Sequence, residues 1–328
     1  MPTRYDLRVK PAPAVTVAVV SWNTRDLLAG CLRSLEEDAK RGRVEVWVVD
    51  NASSDGSAEL VADSFPWVRL EARSDNLGFG PAVNRVAARA RTPWLAMANA
   101  DVALRPGALQ ALLAAGERDG GAGALAPRLI LPDGTTQHSV FPFPTIPFTL
   151  LFNSGLPAVV PGLADRLCLV GAWDPERARA VPWAVGAFLL VRRTAWEAAG
   201  GFDEDQWMYA EDLDLGWRLS RAHLSTRYVP EAVADHRHAA ATTQAWGDDR
   251  TARWQRSTYA WMLRRRGLVR TRLVAGINVA TCLARWVALT PAALINPGRW
   301  GPPRQAAHEW ARRHAVGLQP AETLARHR

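Results

Sequence analysis

The chain has 328 residues, 48% of them apolar and 22% charged, with a formal net charge of +8. A chain of this length buries one large α/β core or a core with an appendage, and its scattered Cys31, Cys168 and Cys282 exclude a disulfide scaffold or a cysteine metal site. The charge is lopsided: residues 1–249 hold 25 basic and 30 acidic side chains, while residues 250–328 hold 15 arginines against Glu309 and Glu322. That polarity predicts a neutral-to-acidic body carrying a tail that seeks anions, either phospholipid head groups or nucleic acid. Codon bias accounts for 38 arginines against 2 lysines, but not for the missing acids of the tail. Met1 to Val20 shows no apolar run ending in a small-residue cleavage site, so no signal peptide and a cytosolic location are expected.

In chain order, a polar lead over 1–13 precedes the β-branched run Val15–Val20, the pattern of a buried strand. Leu27, Leu28, Cys31, Leu32 and Leu35 follow at helical spacing, with Asn23 or Thr24 as N-cap and Gly42 beyond the end. The unit repeats: a strand over Val44–Val49 ends at Asp50-Asn51 and a short helix passes through Leu60 and Val61. A third strand, Val68–Leu70, leads to Asn76-Leu77-Gly78-Phe79-Gly80 and a helix of small residues. Gly78-Phe79-Gly80 lacks a third glycine and follows the third strand, which argues against a dinucleotide-binding oxidoreductase. The apolar run Trp94–Ala98 then reads as a central strand ending at Asn99-Ala100-Asp101. Asp101 there either holds a divalent cation or caps a helix starting near Pro106.

Alternation stops after that helix. Residues 123–140 read as a hairpin around Pro132-Asp133-Gly134, and 141–181, rich in proline and aromatics, as a long loop region with at most a short helix. A buried strand over Ala184–Val191, a helix over Thr194–Ala199 and the turn Gly200–Glu204 precede Glu211-Asp212-Leu213-Asp214 at the start of a helix. Those carboxylates either complement the helix dipole or face a cleft as a general base. A strand over Thr226–Pro230 leads to Asp235-His236-Arg237-His238, whose histidines suit a structural role, a metal or a diphosphate. In the tail, Leu268–Ile295 is apolar but contains Arg270, Arg272, Arg285 and Pro291. It therefore reads as an interfacial helix pair rather than a membrane span, with packing against the body as the alternative.

Six stretches in order, Val20–Asn23, Val48–Ser57, Asn76–Gly80, Asn99–Asp101, Gly200–Glu204 and Tyr209–Leu215, resemble inverting glycosyltransferases of family 2, most closely the bacterial rhamnosyltransferase branch. The resemblance covers about residues 14–240 and implies a GT-A fold, an α/β Rossmann-like mixed sheet flanked by helices. The expected organisation is the lead over 1–13, a catalytic domain over 14–249, and a basic, amphipathic helical tail over 250–328. It implies a nucleotide-sugar donor, dTDP- or UDP-linked, bound by Ser21, Asn23, Asp50, Asn76, Gly78 and Asn99. Asp101 and His236 would hold Mg²⁺ or Mn²⁺, Asp212 or less favourably Glu211 would be the general base, and Trp183 and Gly186 would shape the acceptor side. Asn99 departs from the first carboxylate of the Asp-x-Asp pattern common to the wider fold. The implied reaction moves a sugar, with rhamnose from dTDP-rhamnose as first expectation, onto a lipid-linked or polysaccharide acceptor of the cell envelope at the inner face of the membrane. An anionic membrane surface is an expected partner and nucleic acid is not, since no reading module is present. The rival is an inert membrane-associated scaffold keeping the fold, against which intact Asp50, Asp101 and Asp212 argue.

Overall fold

The computed structural model describes residues 12–206, 208–237 and 249–325. Most of the polar lead, and His238, lie outside the described residues. β1 (Val15–Ser21), α1 (Arg25–Lys40), β2 (Val44–Asp50), α2 (Ser57–Ser64), β3 (Arg69–Ala72), α3 (Phe79–Arg89) and β4 (Trp94–Asn99) alternate as the periodicity predicts. β1 pairs in parallel with β2 and β4, and β2 with β3. Val15, Val17 and Val19 of β1 belong to one buried cluster and Ala18 to the other, because helices cover both faces of a parallel sheet. Thr24 is the N-cap residue of α1 but makes no capping bond; its hydroxyl lies 3.1 Å from that of Ser21.

After β4 come β5 (Val102–Leu104), α4 (Ala108–Arg118), β6 (Ala122–Ile130), β7 (Val140–Phe141), α5 (Ile146–Asn153), α6 (Leu156–Val159) and α7 (Leu163–Arg166). They are followed by β8 (Arg179–Val181), β9 (Trp183–Ala184), β10 (Phe188–Arg192), α8 (Arg193–Ala199), α9 (Glu211–Arg221) and β11 (Ser225–His236). Among the described residues the main sheet runs β3-β2-β1-β4-β10-β6-β11-β5, with β8 also on β11. β10 is antiparallel to both β4 and β6, so the sheet is mixed.

Three expectations need correction. The Pro132-Asp133-Gly134 turn forms, with Gly134 N–H donating to Leu131 O, but the hairpin closes only beside it, where Leu131 N–H donates to Thr135 O and Gln137 N–H to Leu129 O. β11 runs along one edge of β6 and β10 takes the other at Ala124 and Leu125, so the return limb meets β6 only near its end, at the bridge Ile130 to Thr136, and β7 pairs instead with β9 in a separate ribbon. The strand expected over Ala184–Val191 is broken, because Val185 N–H donates to Ser139 O and Gly186 N–H to Asp212 Oδ2 rather than to a neighbouring strand. The 141–181 region holds three short helices, α5 to α7, rather than one at most.

The tail divides in two. In α10 (Arg250–Arg266), Tyr259, Ala260, Trp261 and Met262 are buried in a cluster with Trp183, Ala210 and Leu213, so this helix is part of the body's core. Asp214, 1% exposed, ties it down. Its Oδ1 accepts from Trp261 Nε1 (2.9 Å) and Arg265 Nε (2.7 Å), and its Oδ2 from Arg218 Nε (2.8 Å). Burial pushes the Asp214 carboxyl up, but Arg265, Arg218 and Trp261 outweigh it and hold the group below the usual carboxylate range. Beyond Gly267, α11 (Leu268–Ala288), α12 (Thr290–Ile295), α13 (Pro297–Ala315) and α14 (Ala321–Ala325) complete the chain, with Pro291 in the first turn of α12. No helix among the described residues is long and apolar enough to cross a membrane.

Candidate active site

The carboxyl ends of β1, β2 and β4 open into a cleft of about 440 Å³, where ligands collect in open α/β sheets. Of the residues singled out from sequence, Asn76, Asn99, Asp101, Trp183, Gly186, Glu211, Asp212 and His236 line it. Ser21, Asn23, Asp50 and Gly78 stand behind the lining, next to Val20, Trp22, Thr24, Asn51 and Phe79, which reach it.

Those four hold the loops at one end. Asn23 adopts φ 51°, its N–H donates to Ser53 Oγ (2.9 Å) and its Oδ1 accepts from Ser54 N–H (2.8 Å), stapling the β1 loop to the β2 loop. Asp50 is buried; its Oδ2 accepts from Ser53 N–H (3.0 Å), and its Oδ1 has no hydrogen-bond partner among the described residues. An uncompensated buried carboxylate oxygen is costly unless a ligand donor completes it. Gly78, at φ 85°, donates its N–H to Asn76 Oδ1 (2.9 Å) and accepts from Asn51 Nδ2 (3.1 Å).

At the centre, Asp101 Oδ1 lies 3.2 Å from His236 Nε2, both side chains buried. Asp101 does not cap α4, whose N-cap residue is Gly107; it sits in the turn between β4 and β5, with its carbonyl accepting from Arg237 N–H. His236 ends β11, and its Nδ1 lies 2.6 Å from Gln137 Oε1. A ring that donates from Nδ1 to Gln137 turns the lone pair of Nε2 toward the carboxylate, a donor pair suited to a divalent cation. Among the described residues no group of three or more His, Cys, Asp or Glu side chains is arranged for a metal. An ion held here would take its remaining ligands from water or a substrate diphosphate, as Mg²⁺ usually does. Behind the turn, burial, and then the nearby Asp101, push the Cys31 thiol up to about 12, so it stays protonated and inert.

The far wall is built by α9. Tyr209 and Ala210, both at φ 63°, bend the chain in the left-handed region just before Glu211, a strain of the kind that clusters at functional sites. Asp212 Oδ2 accepts from Gly186 N–H (3.0 Å) and Oδ1 from Leu213 N–H (2.8 Å). Burial raises the Asp212 carboxyl, opposed by these two donors. Glu211 is buried with no hydrogen-bond partner for Oε2 among the described residues, and burial, with Asp212 beside it, raises its carboxyl to about 8. At neutral pH Glu211 therefore keeps its proton, and the two adjacent carboxyls titrate as a pair.

The raised Glu211 sets a pH dependence of stability. The unfolded chain ionises Glu211 near its ordinary 4.5 while the folded chain resists until about 8, so stability falls as pH rises through that window, by roughly 1.4 kcal/mol per pH unit at most. Glu211→Gln is expected to flatten this slope and to unfold at higher urea than wild type at pH 8. Parallel slopes for the two proteins would refute the assignment.

Sequence reasoning missed several residues of the cleft. Gln137 carries no local signal; only the folded position of His236 reveals it. Trp183, donating to Pro142 O, stacks on Phe141 at 4.9 Å, and His138 meets Phe141 edge-on at 4.6 Å. Burial lowers His138 to about 4, which leaves it neutral at physiological pH. Arg250, Thr251 and Trp254, from the start of α10, also line the cleft.

A mixed sheet with a ligand cleft at its carboxyl edge, walled by paired carboxylates, is the architecture of a GT-A glycosyltransferase. Mannosyltransferase PcManGT from Pyrobaculum calidifontis, solved with GDP-Man and Mn²⁺, shares the fold at a TM-score of 0.58 and 20% identity, over 94% of this chain and 85% of that one. Residues 16–155 match the family model for glycosyl transferase family 2, and residues 170–300 the model for glycosyl transferase family group 2. An N-acetylglucosaminyl-diphospho-decaprenol L-rhamnosyltransferase of Mycobacterium tuberculosis is 36% identical over 277 residues, 76% of this chain and 88% of that protein. Rhamnosyltransferase WbbL of Escherichia coli is 37% identical over 92 residues, 26% of this chain and 32% of that protein. The chain belongs to glycosyl transferase family 2 and is a glycosyltransferase.

Proposed function

We propose that the chain transfers rhamnose from a nucleotide-diphosphate donor, dTDP-rhamnose first, onto an N-acetylglucosamine carried on a lipid diphosphate, with inversion at the anomeric carbon, at the inner face of the membrane. The observation that carries the reading is one cleft holding both Asp212 and the Asp101–His236 pair, in a chain 36% identical to a rhamnosyltransferase whose name states such an acceptor. The catalytic domain is read as residues 14–249 completed by α10, the first helix of the 250–328 tail, which packs in its core and lends Arg250, Thr251 and Trp254 to the cleft.

In this reading Asp50, through its unsatisfied Oδ1, takes hydrogen bonds from the donor pyrimidine, with Ser21 and Asn23 shaping that pocket. Asn76, Gly78 and Asn99 approach the ribose and diphosphate. Asp101 and His236 hold Mg²⁺ or Mn²⁺, which when bound neutralises charge on the leaving diphosphate. Trp183 and Gly186 border the acceptor, whose hydroxyl gives its proton to Asp212 as it attacks the face opposite the leaving group. Asp212 suits this task because Gly186 N–H and Leu213 N–H fix its orientation, while protonated Glu211 beside it stays out of the proton transfer.

The test is release of nucleoside diphosphate from a panel of dTDP, UDP and GDP sugars, with Mg²⁺, Mn²⁺ or a chelator. Slow hydrolysis of dTDP-rhamnose that needs a divalent ion is expected. Turnover of a different donor would correct the sugar, and turnover undiminished by chelator would remove the metal from the reading.

A further inference from the structure

In α10, Arg265 pairs with Asp214 and Asp203, Arg264 bonds Gln206, Arg256 bonds Gln319, Arg266 lies 4.5 Å over the Trp217 ring and Arg250 lines the cleft. In α13, Arg304 bonds Thr290 and lies 4.7 Å over the Trp286 ring, and Arg299 and Arg313 lie over Trp300 and Trp310, while on α11 Arg270 donates to Arg266 O. Over residues 268–315 seven arginines stand against Glu309 alone.

α11 buries Thr271, Val274 and Ala275 against the body. At about 100° per residue, Val269, Leu273, Leu283 and Val287 fall on the opposite side, within roughly 80° of one another. They are exposed, Val269 at 72% and Val287 at 59%. Arg272 borders this stripe on one side and Arg270 on the other, both exposed. Just past Pro291, α12 ends in Leu294 and Ile295, 79% and 86% exposed.

We infer that the outward stripe of α11, continued by Leu294 and Ile295, is a docking face for an anionic lipid monolayer, with Arg270 and Arg272 on the head groups. This deepens the membrane-face reading above and rests on it. An apolar stripe bordered by cations is the pattern of a helix lying in the interface plane, and each arginine near an anionic leaflet adds to the attraction. A second copy of the chain fits poorly, since a two-fold contact would set the arginine borders of both copies together. Nucleic acid fits poorly too, because a phosphate backbone calls for a band of cations where this face presents an apolar centre. The charge of α10 takes no part; docking belongs to the second half of the tail.

The experiment is sedimentation of the full chain with phosphatidylglycerol or phosphatidylcholine vesicles. Wild type is expected to bind the first at least tenfold more tightly. Val269→Asp with Val287→Asp, and separately Arg270→Gln with Arg272→Gln, are each expected to weaken that binding at least tenfold while donor hydrolysis stays at the wild-type rate. Binding by both variants equal to wild type overturns the inference, as does a loss that accompanies a change of oligomeric state. Should the aspartate pair fail to fold, the glutamine pair decides. Donor hydrolysis is read without vesicles or acceptor, so failure of the glycosyl-transfer reading is seen separately from failure of docking.

Discussion

Asp212→Asn is expected to lower glycosyl transfer by about 10³-fold, the usual scale of a lost general base, while donor affinity by calorimetry stays within a few-fold of wild type. The carboxylate is held from two sides, by Gly186 N–H and Leu213 N–H, and neither donor belongs to the loops around Asp50 and Asn76. Replacing it by an amide keeps the volume and removes the proton acceptor. The amide can satisfy only one of the two N–H groups with its oxygen, so a stability loss of about 1–3 kcal/mol should accompany the rate loss. Glu211→Gln is the control: that side chain is already protonated near pH 7, so its amide should cost far less in rate. A transfer rate for Asp212→Asn within tenfold of wild type would move the base elsewhere.

The largest effect on stability is expected from Asp214→Ala, about 3–5 kcal/mol, measured by urea denaturation. Asp214 is fully enclosed, and its removal strands Arg218, Arg265 and the indole N–H of Trp261 together. Arg265→Ala should cost less, because Asp214 would keep Arg218 and Trp261, and because Arg265 is itself one-third exposed, which screens its charge. Arg265 also has a second partner in Asp203 at 2.8 Å, which places Asp214→Ala toward the lower half of its range. A loss under about 1 kcal/mol for Asp214→Ala, the scale of an exposed pair, would mean that the tail helix is held by apolar packing alone.

How much of this was legible in the sequence depended on how local the determining contacts were. The units from Val15 to Asn99 declare themselves because each strand is apolar along its length and each helix shows its own period. β5 is three residues long and exists only because β11 offers Ala234 to His236 as partners. Nothing in Val102–Leu104 announces it. The hairpin closes at its turn and goes no further, because β10, distant in sequence, takes the same edge of β6 at Ala124 and Leu125. Gly186 breaks a strand for the sake of a carboxylate 26 residues away. In the site, Asp101, His236, Glu211 and Asp212 carry side chains whose chemistry marks them wherever they fall, whereas Gln137 acquires its role from a neighbour 99 residues distant. In the tail, a count of arginines does not distinguish one paired with Asp214 from one facing solvent.

The clasp around Asp214 has a bearing on recombination between relatives. A crossover at residue 249 would join one parent's α9, with its buried carboxylate, to another parent's α10, with its own arginines and indole. Unless both parents carry the same clasp, such a hybrid inherits an unmatched buried charge, and the cleft wall that Arg250 and Trp254 form here comes from the other parent. Exchanges that move Glu211–Arg266 as one cassette keep clasp and wall together.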